Sequence, residues 1–148
     1  MTSRRTGSAL FVLLFAAAPA AAEEVEIRAS LDREEVELDG HVTYTLAVST
    51  EAGEPEKLEP PAFRDFDVLS RQQSFQTTFA FGTGGPAWKR TTLYTFVLTP
   101  RRQGTISVEP ARMTYRGRTY ETQSLSVRVL PPGYAARPQP APAPPGKR

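Results

Sequence analysis

The chain has 148 residues, which is enough for one domain with a hydrophobic core, and it contains no cysteine. The lack of cysteine excludes disulfides, thiolate metal sites, a cysteine nucleophile and a lipid-modified cysteine anchor. Residues 23–67 carry 14 acidic and 4 basic side chains, a net charge of −10, whereas residues 68–148 carry 12 basic and 2 acidic side chains, a net charge of +10.

This uneven charge has two interpretations. The pattern favours acidic and basic strands that pair in a sheet, so that their charges cancel locally. The alternative is a molecule with an acidic edge and a basic edge, suited to docking a charged partner. The basic residues form no stripe with stacking aromatics, which argues against a nucleic acid as that partner.

The first 22 residues have the pattern of a secretory signal peptide. Arg4 and Arg5 precede an apolar run at 9–18, and three alanines at 20–22 follow it. The run is too short to span a bilayer comfortably, and no later apolar stretch is long enough to do so. We therefore predict cleavage after about Ala22 and export to a bacterial periplasm. The mature chain is then not itself membrane-spanning.

After the signal peptide, apolar and polar residues alternate as they do in half-buried β-strands. The alternation predicts strands at 25–31 and 42–49, and a short apolar run at 36–38 that is closed by a turn at Asp39-Gly40. The segment 51–61 is acidic and contains Pro55, Pro60 and Pro61. Because proline cannot donate a hydrogen bond to a sheet ladder, we expect this segment to be irregular and not a central strand.

The same alternation continues to residue 130. It predicts that extended structure restarts at 66–69 and that strands lie at 75–81, 88–98, 104–108, 112–115, 119–122 and 125–129. About eight strands with turns every 8–12 residues or so predict an all-β fold, an immunoglobulin-like antiparallel β-sandwich over residues 23–130. The Pro- and Ala-rich tail at 131–148 cannot build a core, so we predict that it is disordered and serves as a spacer or as a docking peptide.

A long hairpin is predicted around the glycine-rich segment 82–86, and it carries Phe75, Phe79, Phe81 and Trp88. The pattern favours packing of these aromatics into the core. If they face solvent instead, the hairpin is an apolar contact surface. We take Phe79, Phe81, Gly84 and Trp88, at and beside the loop tip, as the candidate partner contact.

The sequence offers little for catalysis, and we assign no catalytic, cofactor-binding or metal-binding residue. His41 is the only histidine, and no second ligand or triad partner has a suitable spacing to it. The glycine-rich tip lacks the Lys-Ser/Thr pair of a phosphate-binding loop. Segments 31–34 and 65–67 resemble calcium motifs of cadherin repeats, but ordinary charge at strand edges explains their carboxylates better.

The segment that follows the hairpin pairs strands and lines no catalytic cleft. Gly104 is expected to adopt a conformation that most residues avoid, and Arg116-Gly117 is expected to form a tight turn. Tyr115 and Tyr120 flank this turn, where they could pack as a cross-strand pair.

Several short motifs follow one another in a fixed order along the chain. They are Leu31-Asp32 with Val36 and Gly40; Pro60-Pro61 before Phe66-Asp67-Val68-Leu69; Tyr94, Phe96, Leu98, Pro100, Gly104 and Ile106; Pro110-Ala111; and Gly117, Tyr120 and Thr122. This ordered set covers roughly residues 24–130 and resembles the signature of the BatD, or oxygen-tolerance (Bacteroides aerotolerance), family.

The resemblance implies a non-enzymatic role in envelope stress or aerotolerance. The partners it implies are von Willebrand A-domain membrane proteins of a Bat-type operon and, indirectly, a MoxR-type AAA+ ATPase. Family members usually continue through further immunoglobulin-like domains to a transmembrane helix. Since this chain has one predicted domain and a tail, we expect a single-domain relative that is free in the periplasm unless a partner holds it.

Our leading hypothesis from the sequence is therefore a periplasmic protein-interaction module without a cofactor. The alternative is a cell-wall glycan-binding β-sandwich in which Trp88 and Tyr94 stack on a sugar ring. An enzyme is disfavoured because one histidine and no cysteine leave few groups for chemistry.

Overall fold

The computed structural model describes residues 25–51, 53–83 and 85–134. The predicted signal peptide and most of the predicted tail lie outside these ranges. The regular structure of the described residues consists of ten strands, β1 (Glu26–Leu31), β2 (Glu35–Glu37), β3 (Val42–Thr50), β4 (Lys57–Glu59), β5 (Phe66–Gly82), β6 (Gly85–Pro100), β7 (Gly104–Val108), β8 (Arg112–Tyr115), β9 (Arg118–Glu121) and β10 (Leu125–Leu130). The prediction of an all-β fold is confirmed. No helix in these ranges is long and apolar enough to cross a bilayer.

The strands form three sheets. One has four antiparallel strands in the order β1-β3-β6-β5, and the other two have the orders β2-β10-β7 and β4-β8-β9. One pairing departs from the predicted antiparallel arrangement, because β2 runs parallel to β10. Parallel neighbours need a long connection between them, and here most of the domain lies between the two strands.

The core forms where the alternating faces of these sheets meet. In β3 the buried residues are Val42, Tyr44, Leu46 and Val48, as the period of two predicts. They belong to one cluster with side chains from the facing strands, among them Phe96, Leu98, Ile106, Val108, Met113, Tyr115, Val127 and Val129. The domain is thus a β-sandwich built around one core.

The acidic, proline-containing segment before β5 is more ordered than the sequence indicated. It contains β4, which pairs with β8 at the edge of its sheet and is therefore not a central strand. Phe63, which follows this segment, packs in the core, where its ring centroid lies 5.2 Å from those of both Tyr44 and Phe96. Phe63 has a φ of 48°, so core packing holds it in a left-handed conformation that bulky residues rarely adopt.

Charges from the two halves of the chain meet in ion pairs. Among the described residues, acids of the first half pair with arginines of the second half in Glu35–Arg128, Glu54–Arg90, Asp65–Arg102 and Asp67–Arg101, at 3.3, 3.1, 3.1 and 2.5 Å. This is the local cancellation that the sequence favoured. These pairs are exposed, so each contributes little to stability.

The turn between β8 and β9 has the conformation that the sequence predicts. Arg116 and Gly117 have φ values of 49° and 73°, as expected for a tight turn. The ladder pairs Tyr115 with Arg118 and places Tyr120 opposite Met113. Tyr115 and Tyr120 are therefore diagonal neighbours on one face of this hairpin, and their packing as a cross-strand pair stays a prediction.

Candidate functional site

The hairpin formed by β5 and β6 extends beyond the sheet to which it belongs. The ladder between β3 and β6 ends at the pair Thr50–Arg90. Beyond that point, among the described strands, β6 pairs only with β5, through Thr78–Lys89 and on to Gly82–Gly85. Five residue pairs at the usual rise per residue make a two-stranded ribbon roughly 17 Å long that projects from the sandwich.

One face of this hairpin carries a cluster of exposed aromatic rings. Phe79 lies directly opposite Trp88, and their ring centroids are 4.4 Å apart. Phe81 packs edge-on against Phe79 at 4.6 Å. We call Phe75, Phe79, Phe81 and Trp88 the aromatic face; their exposed fractions are 68%, 40%, 81% and 60%.

The expectation that these rings fill the core is wrong, and the reason is the length of the hairpin. Trp88 shares a face of β6 with the buried Phe96 and Leu98, so the alternation placed it on the correct side of the sheet. Its exposure shows that the facing layer of the sandwich ends before it. A period of two identifies the face of a strand but does not reveal where the covering layer stops.

Two arginines mark the boundary between the core and the aromatic face. The guanidinium carbon of Arg71 lies 5.8 Å from the ring centroid of Phe96. That of Arg90 lies 5.0 Å from the centroid of Phe75, and Arg90 also pairs with Glu54. Cations over aromatic rings stabilise partly exposed positions of this kind. The base of the aromatic face therefore carries two guanidinium groups, of which that of Arg90 is paired with Glu54, and the surface is apolar toward the tip.

The structure brings together three of the four predicted contact residues, Phe79, Phe81 and Trp88. The fourth, Gly84, lies outside the described residues. Arg90 is not among the contact residues predicted from the sequence, and Phe75 was expected on the hairpin but was not one of the predicted contacts. The period of two linked Phe75 to Phe79 and Phe81, and it also places Arg90 on the face of Trp88, but the contact of Arg90 with Phe75 depends on the strand register.

The pair of residues proposed to stack on one sugar ring is too far apart for that role. Trp88 and Tyr94 are six residues apart on the same face of β6, which corresponds to about 20 Å. Tyr94 also packs against the core. The structure therefore does not combine these two rings into one sugar-binding platform.

The carboxylates that resembled calcium motifs are engaged in structural bonds. Asp32 accepts a hydrogen bond from the backbone amide of Thr43 at 2.7 Å. Asp65 accepts hydrogen bonds from Arg102, which lower the pKa of the carboxyl group below its ordinary value. Within the described ranges, no group of three or more His, Cys, Asp and Glu side chains could hold a metal ion.

A polar surface groove lies away from the aromatic face. It runs between β1 and β10 and includes Ser30, Glu34, Gln123 and Arg128. The groove is open to solvent, and Arg128 there pairs with Glu35. The aromatic face is the stronger candidate because exposed aromatic side chains are enriched in protein contacts, whereas paired surface charges are ordinary.

The comparison with protein families agrees with the motif order. The model of the BatD DUF11-like domain matches residues 29–129, which is 101 of the 148 residues. The matched range contains all ten strands except the first three residues of β1 and the last residue of β10. No match was found among curated proteins or solved structures.

Proposed function

This chain belongs to the BatD family, and from that premise we propose that it is a non-enzymatic protein-interaction domain of the bacterial periplasm. Its partners in this proposal are von Willebrand A-domain membrane proteins of a Bat-type operon. Through them it acts indirectly with a MoxR-type ATPase in envelope stress or aerotolerance. The contact surface is the aromatic face of the β5–β6 hairpin.

The exposure of the aromatic face carries this proposal. With 150–250 Å² per aromatic side chain, the exposed fractions correspond to roughly 500 Å² of apolar surface. Contiguous apolar patches of this size on a monomer are commonly functional. Their burial would contribute on the order of 10 kcal/mol before the costs of association are subtracted. That gain is large enough to drive a specific contact.

The surroundings of the patch indicate what kind of partner surface would fit. Arg71 lies at the base of the aromatic face, and the guanidinium of Arg90 is already paired with Glu54, so an apolar partner surface with an acidic group near Arg71 complements this face. The aromatic face lies largely on the part of the hairpin that projects from the sandwich, so a partner surface can reach it without contacting the rest of the domain. Phe79 and Trp88, which pack against each other, are the expected anchors.

The test is a mild cross-linking experiment in intact cells. The tagged chain is captured as the wild type, as Trp88→Ser and as Leu93→Ser, and von Willebrand A-domain proteins are quantified by mass spectrometry. Leu93 is a matched control, because it is 38% exposed on the opposite face of β6. We expect capture to fall at least about tenfold for Trp88→Ser and to stay unchanged for Leu93→Ser.

Two outcomes contradict the proposal. Equal capture by the Trp88→Ser variant would remove the aromatic face as the contact. Recovery of cell-wall fragments without any von Willebrand A-domain protein would replace the protein partner with a glycan.

A further inference from the structure

The outer edge of β5 is a long strand edge that no other described strand covers. β5 is the last strand of its sheet and spans 17 residues, with β6 as its ladder partner. Such an edge presents a row of backbone amide and carbonyl groups to any other extended chain. A register shift at Leu69, between Val68 and Ser70, interrupts the edge near its start.

The part of β5 beyond this bulge lacks the usual protection of an edge strand. Residues 72–82 contain no charged residue and no proline. Among the described outer strands, β1 carries Glu26 and Arg28 and β9 carries Arg118 and Glu121, whereas β7, which is also free of charge, spans only five residues. Edge strands commonly use charges to prevent pairing with other chains. Their absence from residues 72–82 marks this edge as one that pairs.

We propose that β5 pairs with β5 of a second copy of this chain, antiparallel and centred on Thr77. The charge-free segment 72–82 has Thr77 as its midpoint, so this register pairs the whole segment with itself. Arg71 then lies just outside the paired segment. A two-fold axis at Thr77 makes the contact isologous, as in most homodimers, and joins two four-stranded sheets into one of eight strands.

The side chains on the aromatic face support this register. Residues directly opposite each other in an antiparallel pair point to the same face of the sheet. Centring on Thr77 places Phe75 opposite Phe79 of the partner subunit, and Phe79 opposite Phe75 of the partner subunit. Aromatic cross-strand pairs of this kind stabilise antiparallel sheets. The two aromatic faces thereby become one continuous surface.

The side chains on the opposite face of the paired segment would not repel those of the second copy. It carries Gln72, Ser74, Gln76, Thr78 and Ala80, which are small or uncharged. No like charges therefore meet across the new strand pair on either face. The proposal concerns the backbone edge of β5 and does not depend on the identity of a von Willebrand A-domain partner, because it can be tested with the purified chain alone.

The absence of cysteine from the sequence allows a direct test of the register. In Thr77→Cys the two introduced thiols face each other across the two-fold axis. In Gln73→Cys they are about 27 Å apart, because the register places residue 73 opposite residue 81 of the second copy, eight residues along the strand from the other thiol. Thr119→Cys places a thiol on the exposed outer strand β9. We expect oxidation to cross-link Thr77→Cys at least about tenfold faster than the other two variants.

Sedimentation equilibrium provides the second measurement, on the wild type, Thr77→Lys and Thr119→Lys. We expect the wild type to be dimeric once its concentration reaches about 0.1 mM. Thr77→Lys should be monomeric at the same concentration, because two lysines would lie directly opposite each other. Thr119→Lys should be dimeric like the wild type. A monomeric wild type would overturn the proposal, as would a dimer unaffected by Thr77→Lys. Cross-linking of Gln73→Cys as fast as Thr77→Cys would overturn the register.

Discussion

Thr122 and Ala111 bind each other through two hydrogen bonds. The hydroxyl oxygen of Thr122 accepts from the backbone amide of Ala111 at 2.9 Å, and the amide of Thr122 donates to the carbonyl oxygen of Ala111 at 3.0 Å. Both residues are buried. This reciprocal contact joins the chain entering β8 to the chain leaving β9, so it holds the β8–β9 hairpin against the core.

The contact makes Thr122 the most sensitive threonine of this hairpin. Thr122→Val keeps the volume of the side chain but leaves the buried amide of Ala111 without its acceptor. We expect a loss of about 1–3 kcal/mol in the free energy of unfolding, measured by urea denaturation. Thr119→Val, at an exposed position of β9, is the matched control and should stay within about 0.5 kcal/mol of the wild type. Equal effects of the two substitutions would show that the hydroxyl of Thr122 does not stabilise the fold.

Aromatic residues on one face of β6 should differ sharply in their contribution to stability. Phe96 is 6% exposed, and Phe96→Ala should cost about 3–5 kcal/mol because it leaves a cavity in the core. Trp88 is 60% exposed, and Trp88→Ala should cost no more than about 1 kcal/mol, chiefly from its lost contact with Phe79. Chemical denaturation of the two variants decides this. A loss of several kcal/mol in Trp88→Ala would mean that the aromatic face is part of the core after all.

Tyr44 should make the protein less stable in alkali. Burial raises the pKa of its phenol to about 12, while a neighbouring Thr122 side chain lowers it slightly. The unfolded phenol ionises near its ordinary pKa of about 10. The folded state therefore keeps a proton that the unfolded state loses, so this contribution to stability is complete below pH 10 and is lost as the pH rises through 12.

The measurement for Tyr44 compares the free energy of unfolding at two alkaline pH values. Between about pH 9 and pH 11.5 the wild type should lose about 2 kcal/mol through this group. Tyr44→Phe has no phenol to ionise and should show a smaller decline. Some decline remains, because burial also raises the pKa of Tyr94. Identical declines in the two proteins would contradict the assignment to Tyr44.

Gly104, at the start of β7, should resist replacement by alanine. Its φ is 100°, in a region that residues with a Cβ rarely adopt, although a Cβ there would meet no neighbouring atom within 4 Å. We expect Gly104→Ala to cost about 1–2 kcal/mol through backbone strain alone. Gln103→Ala, next to it and exposed, is the control and should be nearly neutral. Thermal unfolding of both variants tests this, and a neutral Gly104→Ala would show that the loop relaxes to another conformation.

Much of the local structure could be predicted because its causes are local. The alternation in β3 gave its buried residues, and the conformational preferences of glycine gave the turns at Gly104 and Gly117. The candidate site was half predictable for the same reason. The sequence places its aromatic residues on one face of a hairpin. The contact between Arg90 and Phe75 could not be predicted, because it depends on the register between two strands.

The sequence by itself determined the all-β fold, the positions of most strands and the family, since each depends on residue type, spacing and order along the chain. Only the tertiary structure decided that β2 lies parallel to β10, that residues 66–82 belong to a single edge strand, and that the rings around Trp88 face solvent. These features arise from pairings between distant segments and from the point at which one layer stops covering another. A periodic pattern records which face of a strand is apolar, but burial of that face requires a second surface that the pattern does not specify.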